Sequence, residues 1–161
     1  MNSRKKIIGL EILKRRIQKL HRQGKKIAFT NGCFDIIHFG HVQYLEKAKK
    51  NNRILIVGIN SDASVRKIKG PKRPVVREQF RAAVVAALVC VDFVLIFNEA
   101  TPYKLIQAIQ PDILIKGADW KGKEVIGSDI VKKINGSIEL VEYVKGFSTT
   151  EIIEKIKASF S

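Results

Sequence analysis

Five strand-length runs rich in Ile, Leu and Val, alternating with segments of helical character, restrict this chain to very few architectures. The runs are KIAFT (26–30), RILIVGI (53–59), DFVLIF (92–97), DILIKG (112–117) and IELVEYV (138–144). Several are almost continuously apolar rather than alternating, as expected of strands covered on both faces by helices, and such strands belong to parallel sheets. The intervening segments supply the helices: GHVQYLEKAKK (40–50), residues 78–88, TPYKLIQAIQP (101–111), SDIVKKIN (128–135) and TTEIIEKIKASF (149–160). In the third of these, Thr101 is placed to cap, Pro102 suits the first helical position and Pro111 ends the helix. The order predicts an α/β fold, a Rossmann-like, doubly wound parallel five-stranded sheet with helices on both faces, which binds ligands at the carboxyl ends of its strands. Ahead of it, Leu10, Leu13, Ile17 and Leu20 recur three and four apart, so residues 7–23 read as an amphipathic helix stopped at Gly24. The expected division is a basic helical segment over 1–25 and the α/β domain over 26–161.

Charge narrows the partner. The chain of 161 residues carries a formal +15, concentrated in two places. Residues 1–26 hold ten Lys and Arg against Glu11, and RKIKGPKRPVVR (66–77) holds six basic residues and no acidic one. An anionic ligand is implied. A basic nucleic-acid-binding module is the alternative of another class, but no ribonucleoprotein signature, zinc-finger spacing or interleaved aromatic platform accompanies these runs. The second run reads as a mobile loop around KGPKRP. The longest apolar run, AAVVAALVCV (82–91), is too short for a membrane span, no signal-peptide pattern is visible, and a cytoplasmic protein with no membrane partner is expected. Cys33 and Cys90 are expected as free thiols.

The stretch with most chemistry is TNGCFDIIHFGH (30–41), which places two of the three histidines beside glycines and a carboxylate where strand one ends. Asn31-Gly32 lets the backbone turn, Gly40 leaves room for an approaching group, and His38 and His41, three apart at a helix start, share a face near free N–H groups. That suits a phosphate. A metal site of Cys33, Asp35, His38 and His41 is the competing reading, since each can ligate zinc, although no second pair with finger-like spacing supports it. GFSTTEII (146–153) contains a capping box, Ser148 and Glu151, whose hydroxyl-rich start also offers donors to an anion. IKGADW (115–120) brings Lys116, a turn at Gly117, and Asp119 beside Trp120. No G-x-x-x-x-G-K-[ST] or G-x-G-x-x-G follows strand one, which excludes phosphate-loop kinases and dinucleotide-binding enzymes.

His38-Phe39-Gly40-His41 has the H-x-G-H form of the nucleotidyltransferase superfamily, and STTEII resembles its second signature. Together with GINSDASVRKIKG, RPVV, VDFVLIF, TPYKLIQAIQPDILIKGADW and GFSTTEII in that order, residues 26–156 resemble the D-glycero-β-D-manno-heptose 1-phosphate adenylyltransferases, in the form without a sugar-kinase half. The resemblance implies transfer of AMP from ATP to the heptose 1-phosphate, giving ADP-heptose and pyrophosphate for lipopolysaccharide or surface glycans. It implies His38, His41 and Lys69 as catalytic. It gives nucleotide contacts to Thr30, Asn31, Gly32, Cys33, Phe34, Gly40, Lys116, Gly117, Asp119, Ser148, Thr149 and Thr150, and acceptor contacts to Asp35, Asn60, Asp62, Lys67 and Arg81. Mg²⁺ is expected mainly through the nucleotide, with no protein metal ligand assigned; a separate heptose kinase and a homo-oligomer, as a dimer, are the expected partners. Glycerol-3-phosphate cytidylyltransferases are the runner-up on GADWKGK and GFSTT, against which Cys33 stands where that family has threonine. Many superfamily members end the second signature with arginine, and here Ile153 holds that place, so that Lys145 or the 66–77 segment would supply the charge.

Overall fold

The computed structural model describes residues 2–50, 52–142 and 146–160. Its strands are β1 (Lys26–Gly32), β2 (Arg53–Asn60), β3 (Phe93–Phe97), β4 (Ile113–Gly117) and β5 (Ser137–Val141). All pair in parallel in the order β3-β2-β1-β4-β5, so the chain winds outward from β1 through β2 and β3, then returns to pair β4 on the other side of β1. A crevice therefore opens at the carboxyl ends of β1 and β4, where the connections leave in opposite directions. The end of the fifth run, at residues 143 and 144, lies outside the described residues.

The helices are α1 (Leu10–Arg22), α2 (Phe39–Ala48), α3 (Asp62–Lys69), α4 (Glu78–Ala87), α5 (Tyr103–Ile109), α6 (Ser128–Lys133) and α7 (Thr149–Phe160), with 3₁₀ turns at Ser3–Lys6 and Ala118–Trp120. Strand residues alternate between two cores. Ala28, Leu55, Val57 and Ile59 pack with Leu45 of α2 and Val85 of α4. Ile27, Phe29 and Ile56 pack with Leu13 and Ile17 of α1, Ile106 of α5 and Val131 of α6. The continuous apolar runs are thus explained, because each strand feeds both faces. The amphipathic stripe of α1 is spent on the same core as β1, and just before it Ile8 donates its backbone N–H to the Val94 carbonyl at 3.0 Å. Among the described residues no helix is long and apolar enough to cross a membrane.

Two departures from the sequence reading concern residues 60–77 and 102. The supposed loop from Arg66 begins as helix: Ser61 caps α3, its hydroxyl accepting from the Ser64 N–H at 3.2 Å, and Arg66 to Lys69 form its last turn. The run of positive charge hid a helix, because like charges near a C-terminus are compatible with the macrodipole there. Pro102 is the cap of α5 rather than its first residue.

At the opposite edge of the sheet, aspartates preceding β3 and β4 reach sideways to neighbouring strands. Asp92 accepts from the Leu55 N–H at 2.7 Å, and Asp112 accepts from the Ile27 N–H at 2.8 Å and pairs with His21 at 2.9 Å. Glu139 of β5 holds Arg53 of β2 at 2.9 Å and Lys50 at 3.0 Å, and the Arg53 hydrogen bonds foremost lower its pKa to about 2. A carboxyl whose folded pKa lies below its ordinary 4.5 adds stability above that value and loses it as pH falls toward about 2. Denaturant midpoints of the wild type should therefore fall through that window, and Glu139→Gln should flatten this part of the profile while lowering the midpoint at neutral pH.

Candidate active site

At the crevice the carboxyl ends of β1, β2 and β4, the end of α3 and the starts of α2 and α7 enclose a cleft of about 810 Å³. From β1 and the turn after it come Asn31, Gly32, Cys33, Phe34 and Asp35, from β2 Asn60, and from β4 and its 3₁₀ turn Lys116, Asp119 and Trp120. His38 and His41 enter from α2, Lys69 and Arg73 from α3 and the segment after it, and Ser148, Thr149 and Thr150 from α7. Residues 31 and 150 are far apart in the chain, and the switch in strand order brings them together.

The turn out of β1 is made differently from the expected Asn-Gly hinge. Gly32 still belongs to the strand, and its role is space: a Cβ there would sit 3.0 Å from the Phe34 ring. Phe34 itself carries the positive φ of 46°, a conformation that costs a non-glycine residue roughly 1–3 kcal/mol and recurs at functional sites. Its ring then lies 5.1 Å from that of His41. Gly40 likewise provides space. A Cβ at Gly40 would meet His38 Nδ1 at 3.1 Å and Phe147 Cβ at 3.2 Å, so the missing side chain is what lets the His38 ring and Phe147 pack over this position.

The two imidazoles are stacked, with centroids 3.8 Å apart and planes inclined by 29°. Both Nδ1 atoms are buried, with no hydrogen-bond partner among the described residues. Burial, with the neighbouring His38 second, lowers the His41 pKa to about 4, partly offset by the Ile36 backbone; burial also lowers that of His38 against the pull of Glu151. Both rings are neutral at neutral pH, and a buried, unpartnered ring nitrogen is an unusual thing for a protein to keep. At the facing helix start the Ser148 hydroxyl accepts from the Glu151 N–H at 3.1 Å, the cap read from the sequence, while Phe147 meets Phe39 edge-on at 5.4 Å.

Across the cleft Lys116 is buried, and that burial lowers its pKa to about 8 against the attraction of Asp119. Its ammonium donates to the Asn31 side-chain oxygen and lies 5.6 Å from the centre of the Trp120 ring. The Cys33 thiol is pushed up by burial in spite of Lys69, Arg81 and Arg73 nearby. Three cations thus converge on the end of β1.

Several residues expected at the site stand elsewhere. Arg81 is 1% exposed and spends its guanidinium on the carbonyls of Val76 (2.8 Å), Asn60 (2.8 Å) and Cys33 and on the Asp62 carboxylate (2.9 Å), which leaves neither it nor Asp62 in the lining. Lys67 lies on α3 two residues before Lys69, about 200° around the helix, so only one of the two can face the cleft, and Lys69 does. Thr30 is buried, its hydroxyl sharing a 2.7 Å hydrogen bond with that of Tyr44, and Gly117 is buried at the end of β4. Asp35 reaches the lining, but its carboxylate is already filled by the Arg73 Nε–H at 2.6 Å and the N–H groups of Val75 and Val76 at 2.8 Å. Burial would raise the Asp35 pKa, and those donors together hold it below the ordinary value. Among the described residues no group of three His, Cys, Asp or Glu could hold a metal ion, so the Cys33, Asp35, His38, His41 quartet does not assemble. Ile153 is half-buried in α7, and Lys145 lies outside the described residues. Arg73, Ile68 and Phe147 were not among the expected residues. The only signal for Arg73 was its place in the basic run.

A family model for the cytidylyltransferase-like domain matches residues 29–155, spanning every segment of the cleft. The chain belongs to the cytidylyltransferase-like family. It is 49% identical over 159 residues to the bifunctional protein HldE of Citrifermentans bemidjiense, covering 99% of this chain and 33% of that protein. It is 59% identical over 138 residues to the bifunctional protein HldE of Campylobacter jejuni subsp. doylei (86% of this chain and 29% of that protein) and 55% identical over 152 residues to that of Helicobacter pylori strain J99 (94% and 31%). The chain thus spans about a third of the length of these relatives. Among solved structures, a lipopolysaccharide core biosynthesis protein from Thermoplasma volcanium GSS1 matches at 29% identity and a TM-score of 0.61, over 76% of this chain and 98% of that one. The pantoate-beta-alanine ligase of Francisella tularensis, complexed with beta-gamma ATP and beta-alanine, shares the fold at 18% identity and a TM-score of 0.58, over 94% of this chain and 76% of that one.

Proposed function

We propose that this chain of the cytidylyltransferase-like family transfers AMP from ATP to D-glycero-β-D-manno-heptose 1-phosphate and releases pyrophosphate. The observation that carries the reading is the stacked pair of neutral imidazoles with orphaned Nδ1 atoms, set at one helix start and facing the hydroxyl-rich start of another. A triphosphate laid between α2 and α7 meets N–H donors from both histidines and from the first turns of both helices, and hydroxyls from Ser148, Thr149 and Thr150.

The attacking group is a phosphate oxyanion that carries no proton to remove, so no general base is needed. Its oxygen bonds to the α-phosphorus as the bond to the β-phosphate bridging oxygen breaks, and that oxygen leaves with its electron pair on pyrophosphate. The barrier is repulsion and alignment, which positioned donors lower. His38 and His41 donate to the α- and β-phosphate oxygens, α7 holds the departing pair of phosphates, and Lys69 offsets charge on the acceptor side. Asn31 and Lys116 lie against the ribose and base. Carboxylates free to ligate Mg²⁺ are few in the lining, Asp119 and Glu151 with Asp35 already filled, which fits an ion carried mainly by the phosphates and supplying charge neutralisation there. The sugar 1-phosphate this reaction consumes calls for a phosphorylating reaction upstream.

A pyrophosphate-release screen of ATP, CTP, GTP and UTP crossed with heptose 1-phosphate and glycerol 3-phosphate tests this. ATP with heptose 1-phosphate should exceed every other pair by at least about tenfold, the factor given by 1.4 kcal/mol of discrimination. Release confined to CTP with glycerol 3-phosphate would instead establish the glycerol-3-phosphate cytidylyltransferase reading.

A further inference from the structure

The cleft has two sides. The triphosphate side is built from α2 and α7; the acceptor side must hold a second phosphate opposite the leaving group. Lys69 is exposed at the end of α3, on a flexible stem, and is poorly suited to fix a position. Arg73, four residues on, has the opposite character. Its side chain is 17% exposed and lines the cleft, and its Nε–H is bound to an Asp35 carboxylate with no exposure at all. Asp35 accepts in turn from the N–H groups of Val75 and Val76, so the segment carrying Arg73 is tied to the end of β1 at three points.

This tether uses one of the five guanidinium donors. No hydrogen bond engages Nη1 or Nη2 of Arg73 among the described residues. An arginine held by Nε and left with its outer edge free presents two parallel N–H donors, the fork that matches two oxygens of a phosphate. A buried carboxylate that could have met a substrate is instead consumed in orienting this fork.

Resting on the function proposed above, we propose that Arg73 is the acceptor-phosphate clamp, binding the sugar-linked phosphate through its free Nη edge, with Asp35 as the positioning residue that aims it. The interaction is specific for a phosphomonoester and indifferent to the triphosphate. Lysine in its place keeps the charge and the ion pair to Asp35 but loses the fork.

Two measurements decide it. Inorganic phosphate is titrated by calorimetry into the protein saturated with a magnesium complex of a non-hydrolysable ATP analogue. The wild type should bind it, and Arg73→Met and Arg73→Lys should lose about tenfold or more, the loss expected for a charge-assisted bidentate contact. In steady-state pyrophosphate release, Arg73→Lys should raise the acceptor KM by a similar factor and leave the ATP KM within about twofold. Asp35→Asn should move the acceptor KM in the same direction. Phosphate binding absent from the wild type or equal in all variants, or an ATP KM that rises in parallel with the acceptor KM, overturns the clamp. A wild type inert toward heptose 1-phosphate whose phosphate binding still depends on Arg73 overturns the proposed acceptor and leaves the clamp standing.

Discussion

His41→Ala should lower turnover on the order of 10²-fold or more, with melting temperature and circular dichroism nearly unchanged. The ring belongs to neither core; it stacks on His38 at 3.8 Å and leans on Phe34 at 5.1 Å along the cleft wall. What is lost is a donor held in place before the nucleotide arrives. His41→Asn, which keeps a donor of similar reach, should recover part of the rate. The depressed pKa adds a second readout with a definite sign. Burial and the adjoining His38 hold free His41 at about 4, whereas phosphate oxyanions beside it favour the protonated ring and raise that value. Binding of the magnesium nucleotide should therefore take up protons, seen as a binding heat that depends on the ionisation enthalpy of the buffer. Affinity should strengthen as pH falls through the pKa of the complex, and His41→Ala should reduce the uptake. Turnover equal to wild type in His41→Ala would remove His41 from the reaction.

Arg81→Met is expected to cost about 3–5 kcal/mol of stability, the range for removing one partner of a buried charged network. Four of the five guanidinium donors are used, on the ends of β1 and β2, the segment before α4, and α3, with the side chain almost wholly inside. Methionine fills the volume but removes the Arg81 donor from three carbonyls and leaves Asp62 without this counter-ion. At roughly 2–4 °C per kcal/mol for a chain of this size, melting should drop by on the order of 10 °C. Catalytic constants measured well below that transition should change less than in His41→Ala, because Arg81 stands behind the cleft wall. A melting temperature within about 2 °C of wild type would show that the network contributes little.

The five strands, every helix but α3, and the chemistry of the main signature were legible in the linear sequence. Strand-length apolar runs rich in Ile, Leu and Val and bounded by Gly, Pro, Asn and Asp pointed to strands covered on both sides, and those runs feed two separate cores through Ile27 and Ala28, Ile56 and Val57. Local signals held where the physics is local: the three-residue spacing that stacks His38 and His41, the Ser148 cap of α7, and the stripe Leu13 and Ile17 that seats α1. Tertiary structure alone decided which charges serve the cleft. Arg73, Lys67, Lys69 and Arg81 look alike as a row of cations, yet helix phase turns Lys67 away from Lys69, burial consumes Arg81 in four contacts, and the Asp35 tether pins Arg73 at the lining. Gly32 and Gly40 went the same way, since a missing Cβ says only that space is needed, and neighbours distant or hidden in sequence, the rings of Phe34 and His38 and the Cβ of Phe147, decide what fills it. A side chain's type fixes what it can bond; which partner it meets depends on contacts that the linear order does not contain.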